Sequence, residues 1–167
     1  MNIQELIKSI KNGDLSHSNY LLFGEEDFFI DKIETAFLKY LIPDEEKSFN
    51  QKIFYGKDID VYSLMSTLKS FPMIGKRQLI MLKEADKMDK IDALETYLNN
   101  PVPTSIFIMC YHKKSIDKRK KWIKLFKHSG FLFESKKVYD YQISKFIQMD
   151  LVDLDLKIDR SAELLLV

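Results

Sequence analysis

Short apolar runs alternate with amphipathic segments along most of this 167-residue chain. Three runs, "NYLLFG" (19–24), "QLIML" (78–82) and "SIFIMCY" (105–111), are apolar at successive positions instead of at every second one. Strands of this kind are buried on both faces, which is typical of a parallel sheet covered by helices. The pattern therefore predicts an α/β fold with a mostly parallel sheet flanked by helices.

The remaining elements follow from spacing and from turn residues. Two further strands are expected at "FNQKIFYG" (49–56) and "FLFES" (131–135). Apolar residues at intervals of three and four predict the helices, and Asp60 is placed to cap one of them. The predicted helices cover residues 2–13, 29–40, 61–71, 90–100 and 115–130.

The pattern changes after about residue 138. Residues 139–167 contain no further strand run and predict one helix to about Val152 and a second from near Asp159. The chain ends in Leu-Leu-Leu-Val without a polar cap, so we expect the natural protein to continue. The sequence thus predicts an α/β domain over 1–138 and the start of a small helical domain over 139–167.

Composition excludes several kinds of functional site. The 26 basic residues nearly cancel the 25 acidic ones, which gives no whole-molecule attraction to nucleic acid. The single cysteine, Cys110, lies in a strand run, and the three histidines, His17, His112 and His128, are scattered. We therefore expect no disulfide, metal site or catalytic centre. No apolar run reaches membrane-spanning length, and a cytoplasmic protein without a membrane partner is expected.

The turn after the first strand is the usual phosphate site of an α/β protein. Here it reads "FGEEDFFIDK", from Phe23 through Gly24 to Lys32. A phosphate loop needs a second glycine and a Lys-Ser/Thr pair, but acidic residues and two phenylalanines fill this length. The residues therefore predict a degenerate nucleotide loop and no nucleotide cofactor.

A basic segment covers residues 113–127, with eight Lys or Arg against one Asp. Its apolar residues Trp122, Ile123 and Phe126 are spaced to face a core. A solvated helix face is the commoner interpretation. The alternative is sequence-independent contact with DNA phosphates. The candidate contacts are Lys118, Arg119, Lys120 and Lys124.

The stretch "SFPMIGKRQLIML" (70–82) places Met73 and Ile74 between a helix and a strand, where turns are usually polar. Spacing leaves two interpretations. The pair could pack inward, which spacing alone favours because exposed apolar pairs are costly. It could instead be exposed and insert into a partner's pocket.

Four segments in this order resemble the delta subunit of the bacterial DNA polymerase III clamp loader. They are "NYLLFGEEDFFIDKIETAF", "SFPMIGKRQLIMLKEAD", "LETYLNNPVPTSIFIM" and "DKRKKWIKLFKHSGF". The resemblance implies an AAA+-like domain that has lost nucleotide binding, followed by a helical lid domain. A collar domain, absent from this chain, would join the other loader subunits, gamma/tau and delta prime.

The resemblance also implies a function. Such a subunit binds the sliding clamp (beta subunit) and helps open the ring for loading onto primed DNA, without hydrolysing ATP itself. The clamp contact would lie at Phe71, Pro72, Met73 and Ile74. Family members often carry Leu-Phe at the last two positions, and this sequence has no aromatic residue at the second. The alternative hypothesis is a P-loop-like NTPase or nucleotide kinase with an atypical loop.

Overall fold

Strand β1 (Asn19–Gly24) is entirely buried and hydrogen-bonds to a neighbour on each side. The computed structural model describes residues 3–137. The other strands are β2 (Gln51–Tyr55), β3 (Gln78–Lys83), β4 (Ser105–Tyr111) and β5 (Phe131–Ser135). The α-helices are α1 (Ile3–Asn12), α2 (Asp27–Tyr40), α3 (Lys47–Asn50), α4 (Val61–Lys69), α5 (Glu95–Leu98) and α6 (Lys121–Ser129). Short 3₁₀ turns lie at Asp44–Glu46, Ala85–Lys87 and Ile91–Leu94.

The five strands form one sheet in the order β2-β3-β4-β1-β5, and every pairing is parallel. In β1, Leu21 lies opposite Met109 of β4 and Leu132 of the edge strand β5. Parallel neighbours require crossover connections, which here run through the helices. The predicted α/β fold with a parallel sheet is confirmed.

Helices cover both faces of this sheet. One face packs side chains such as Leu22 and Ile108 against α1 and α2. The other packs Phe23 and Phe107 against α4, α5 and α6, where Trp122 is buried. The two cores explain why the central strands are apolar at successive positions.

The cap predicted for α4 is present, but the helix predicted over 90–100 is not continuous. The Asp60 carboxylate accepts hydrogen bonds from the Tyr62 and Ser63 backbone N–H groups, at 2.9 and 3.0 Å, as a helix N-cap does. The single helix predicted over 90–100 is wrong: a 3₁₀ turn, Ile91–Leu94, precedes the four-residue α5. Lys90, directly before this turn, is in the left-handed region at φ 55°, so a regular helix cannot include this residue.

Residues 138–167 lie outside the described residues. The chain divides into two compact units, Met1–Ser135 and Lys136–Val167, and the strands and helices given above belong to the first. The predicted lid helices and the boundary at 138 stay predictions. Within residues 3–137, no helix has the length and apolar character needed to cross a membrane.

A buried ion pair joins α2 to the end of β3. Glu34 is 3% exposed, and its carboxylate lies 2.5 Å from the Lys83 ammonium. Burial opposes the charge on Lys83, but the hydrogen bond and attraction of Glu34 outweigh burial and raise the pKa of Lys83 above 10.5. Neighbouring Cys110 is fully buried, and burial raises the pKa of its thiol, which is typical of an inert thiol.

Replacing Lys83 with methionine should destabilise the protein, because the buried Glu34 carboxylate loses its partner. We expect a loss of roughly 2–4 kcal/mol in the free energy of unfolding, since Lys83 keeps some access to water. The loss should be seen at neutral pH and vanish when the pH rises through the raised pKa of Lys83, where the wild-type pair is also lost.

Urea unfolding measures this effect. The exposed Lys8→Met change on α1 is the matched control and should cost little. The double variant Glu34→Leu/Lys83→Met should recover much of the loss. Equal unfolding midpoints for Lys83→Met and Lys8→Met would show that the pair contributes nothing.

Candidate functional site

The turn between α4 and β3, residues 70–77, has apolar side chains in solvent. Phe71 is 74% exposed, Met73 76% and Ile74 43%. None of the three belongs to either core, whereas Leu79 to Leu82 directly after them are fully buried. Inward packing of Met73 and Ile74, the interpretation that spacing alone favoured, is therefore not what the structure has.

The main chain of this turn is fixed although its side chains are exposed. Asn50, the last residue of α3, is fully buried and contacts two consecutive residues of the turn. Its side-chain amide donates to the Ile74 carbonyl at 2.6 Å, and its side-chain carbonyl accepts from the Met73 N–H at 3.1 Å. One side chain thus satisfies a donor and an acceptor that would otherwise have to be hydrated.

A second buried amide fixes the start of the turn. Gln78, at the beginning of β3, is 2% exposed and donates to the Ser70 carbonyl at 2.6 Å and to Ser105 Oγ at 2.9 Å. The α4 helix has already ended at Lys69, and Pro72 cannot continue it. The turn is therefore held at both ends by amides from neighbouring elements.

Gly75 closes the turn in the left-handed region, at φ 68°. A Cβ atom at this position would overlap the Glu46 carboxylate, which also accepts a hydrogen bond from Asn50 at 3.3 Å. Glycine is needed here for its conformation, whereas the Glu46 carboxylate, at the end of a flexible side chain, can move aside. Asn50, Gln78, Ser105 and Glu46 were not predicted from the sequence. The available signal was a polar amide directly before β2, at Asn50, and at the start of the buried strand β3, at Gln78.

The degenerate nucleotide loop is occupied by contacts within the chain. The Gly24 N–H donates to the Lys113 carbonyl at 3.2 Å, and the Glu25 N–H donates to the Ser135 carbonyl at 2.8 Å. Gly24, at φ 143°, lets the chain pass close to Ser135, because a Cβ there would overlap the backbone of β5. Phosphate loops use such N–H groups to hold their ligand. Here both are already bonded.

The side chains after Gly24 also have partners within the chain. The Lys32 ammonium lies 6.0 Å from the centroid of the half-exposed Phe28 ring. Asp27, in the first turn of α2, lies 3.2 Å from the His112 imidazole. The helix therefore begins with an acidic residue, which suits its dipole without a ligand.

The basic segment differs from the prediction. Helix α6 begins at Lys121, so Lys118, Arg119 and Lys120 precede it in a turn. The Asp117 carboxylate accepts from the Arg119 backbone N–H at 3.0 Å, which closes a local turn before the helix. Only Lys124, of the four candidate DNA contacts, is on the helix.

Three of these four cations are paired inside the chain. Lys118 lies 3.3 Å from Glu134 and Lys120 lies 3.0 Å from Asp92. Arg119 binds Asp117 through two nitrogens, each at 2.9 Å. The hydrogen bonds from Arg119 lower the pKa of Asp117 to about 2, so this pair is charged at neutral pH.

Comparison with solved structures places the fold. A DNA clamp loader delta protein of Bacillus subtilis superposes with a TM-score of 0.77 at 24% identity, over 92% of this chain and 48% of that one. A DNA polymerase III gamma subunit-related protein of Thermotoga maritima gives a TM-score of 0.52 at 12% identity, over 89% of this chain and 50% of that one. A RuvB variant from the same organism gives 0.51 at 13% identity, over 96% and 52%. The sheet and these neighbours define an AAA+-like α/β domain, as predicted.

Sequence comparison gives the family. The model of the family "DNA polymerase III, delta subunit" matches residues 20–136. The curated DNA polymerase III subunit delta of Bacillus subtilis (strain 168) is 27% identical in an alignment of 149 positions that covers 83% of this chain and 43% of that protein. The chain belongs to the DNA polymerase III delta subunit family, the clamp-loader delta subunits. It spans less than half the length of this curated relative.

Replacing Asn50 with alanine should release the turn. The Met73 N–H and the Ile74 carbonyl lose their partner, at a cost of about 1–3 kcal/mol if they stay unsatisfied. We expect faster hydrogen exchange at the Met73 amide, with β4 amides changed much less. Asn99→Ala, which removes an exposed amide that bonds only within its own helix end, is the control. Unchanged exchange at Met73 would show that Asn50 does not hold the turn.

The occupied loop predicts that this protein does not bind Mg-ATP. Calorimetry at millimolar nucleotide should give a flat titration, because the Gly24 and Glu25 N–H groups are bonded to other backbone groups. The alternative hypothesis, a P-loop-like NTPase or nucleotide kinase, requires a saturable magnesium-dependent signal. Such a signal would overturn the interpretation of Gly24 to Lys32 as a degenerate loop.

Proposed function

We propose that this chain is the clamp-binding part of a clamp-loader delta subunit, and that the turn at Phe71, Pro72, Met73 and Ile74 inserts into an apolar pocket of the sliding clamp. The observation that carries this is the exposure of three apolar side chains on a turn whose main chain is fixed by Asn50. Family membership supports the clamp as the partner.

The geometry suits a binding anchor. Exposed apolar side chains are unfavourable in the free protein, and burying Met73 and Ile74 in a partner would gain roughly 1.5–3 kcal/mol each. Because the main chain is held before binding, little conformational entropy is lost when the complex forms. A few such residues dominate many interfaces.

Ring opening would follow from binding without chemistry in this chain. A subunit that binds the opened clamp more tightly than the closed one shifts the ring towards the open state. We propose that this chain is non-catalytic and that partner subunits supply ATP hydrolysis. The occupied N–H groups after β1 support this. Contacts with gamma/tau and delta prime, primed DNA as the substrate of the assembly, and a cytoplasmic location are part of the same proposal.

Direct DNA contact by Lys118, Arg119, Lys120 and Lys124 stays a prediction. The acidic partners of the first three would have to be displaced or shared before a phosphate could bind. The commoner interpretation, a solvated charged surface, therefore accounts for these three side chains with the contacts they already make.

The double variant Met73→Ala/Ile74→Ala should lose most of its affinity for the clamp. Two anchors at about 2 kcal/mol each correspond to a loss of several hundredfold in affinity. Calorimetry with the purified clamp from the same organism measures this. Circular dichroism should be unchanged, since neither residue is in a core.

Phe28→Ala/Tyr55→Ala is the matched control, because these apolar residues are 51% and 46% exposed at other sites. It should bind like the wild type. A third variant, Phe71→Ala, measures the share of that residue. Unchanged affinity of the Met73/Ile74 double variant would refute the anchor assignment.

A further inference from the structure

A groove lies at the end of the sheet where the strands begin. Residues 15–18, 76–77 and 103–104, which precede β1, β3 and β4, line most of it, and its volume is about 400 Å³. Ile106 of β4 completes the lining. Parallel strands begin at the same end of a sheet, so the segments that precede three of them meet there. The proposed function uses none of these residues.

The groove adjoins the exposed turn. Lys76 and Arg77 directly follow Ile74 and Gly75, and two residues of extended chain span only about 7 Å. A protein seated on Met73 and Ile74 is therefore within reach of this groove.

Neither cation of the groove forms an ion pair with residues 3–137, although the Glu46 carboxylate packs beside the adjoining Gly75. Lys76 is exposed and makes no ion pair with residues 3–137, and no carboxylate is among the lining residues. Arg77 donates to a neutral partner, the Gly13 carbonyl, at 3.3 Å. The cations at 118–120 differ, because each has an acidic partner. The positive charge at 76–77 is thus available to an external anion.

The other lining groups favour carboxylates over bases. Ser16 and Ser18 contribute side-chain hydroxyls to the lining, whereas Thr104 Oγ1 is inaccessible to solvent. The one aromatic ring in the lining, His17, packs against Tyr20 and Phe131, with ring centroids 6.5 and 6.2 Å away. Single-stranded nucleic acid binds on exposed stacking platforms. Cations and hydroxyls beside a protein-binding turn fit acidic side chains instead.

We propose that this groove binds an acidic segment of the same partner that receives Met73 and Ile74, with carboxylates pairing with Lys76 and Arg77. This inference rests on the proposed function and deepens it. The turn would supply apolar anchoring, and the groove would fix orientation and speed encounter by electrostatic attraction.

The charge-reversed variant Lys76→Glu/Arg77→Glu tests the proposal against the purified clamp. We expect affinity about tenfold weaker at 50 mM salt, with the difference from wild type shrinking as salt screens the charges. Lys118→Glu/Arg119→Glu is the matched control, because it makes the same charge change at cations already paired outside the groove. It should bind nearly as the wild type does. Unfolding midpoints verify that both variants fold.

The Met73→Ala/Ile74→Ala variant, measured in parallel, separates the two proposals. If it loses binding while Lys76→Glu/Arg77→Glu keeps wild-type affinity and salt dependence, the groove proposal is wrong and the anchor stands. If neither variant changes affinity, both proposals are wrong. If the groove variant loses affinity only for a primed DNA oligonucleotide, the groove is a nucleic-acid site and the acidic-segment proposal is overturned.

Discussion

The central constraint is the burial of β1 between two parallel neighbours with helices on both faces. A strand in this position must be apolar on both sides, and every connection to it must cross over through a helix. The amino ends of the strands then lie at one end of the sheet and the carboxyl ends at the other. The loops at these ends can carry functional residues. At the carboxyl end of β1, the Gly24 backbone lies against the Ser135 backbone, and the Glu25 N–H donates to the Ser135 carbonyl. The turn after β1 therefore contacts the end of β5. The position of a phosphate loop is thus occupied by the fold itself.

Fold and function are separated at the exposed turn. Asn50 and Gln78 hold the main chain of residues 70–74, while the side chains of Phe71 and Met73 contribute to neither core. Such residues can vary with the partner's pocket without loss of stability. The buried amides cannot vary as freely, because each bonds backbone groups of the turn. Fixing the main chain of the turn presents its apolar side chains in one arrangement and reduces the conformational entropy lost on binding.

The exposed cations also differ in whether they form ion pairs within the chain. The cations at 118–120 form exposed ion pairs with Asp117, Glu134 and Asp92, so three cations of the basic segment that is most conspicuous in the sequence already have acidic partners within the chain. Lys76 and Arg77 are only two cations, yet neither forms an ion pair with residues 3–137. Local composition therefore gave little guidance to where an external anion would bind, since pairing depends on which acids the fold brings near.

The sequence by itself determined the fold class, the positions of the central strands, the Asp60 cap and the missing glycine and Lys-Ser/Thr pair of a phosphate loop. These depend on residues within a few positions of each other, where spacing and backbone chemistry suffice. Only the tertiary structure decided that Met73 and Ile74 are exposed, that α6 begins at Lys121, and that Asn50 holds a turn 23 and 24 residues away. Those outcomes depend on the order of the strands in the sheet, and no local pattern contains it.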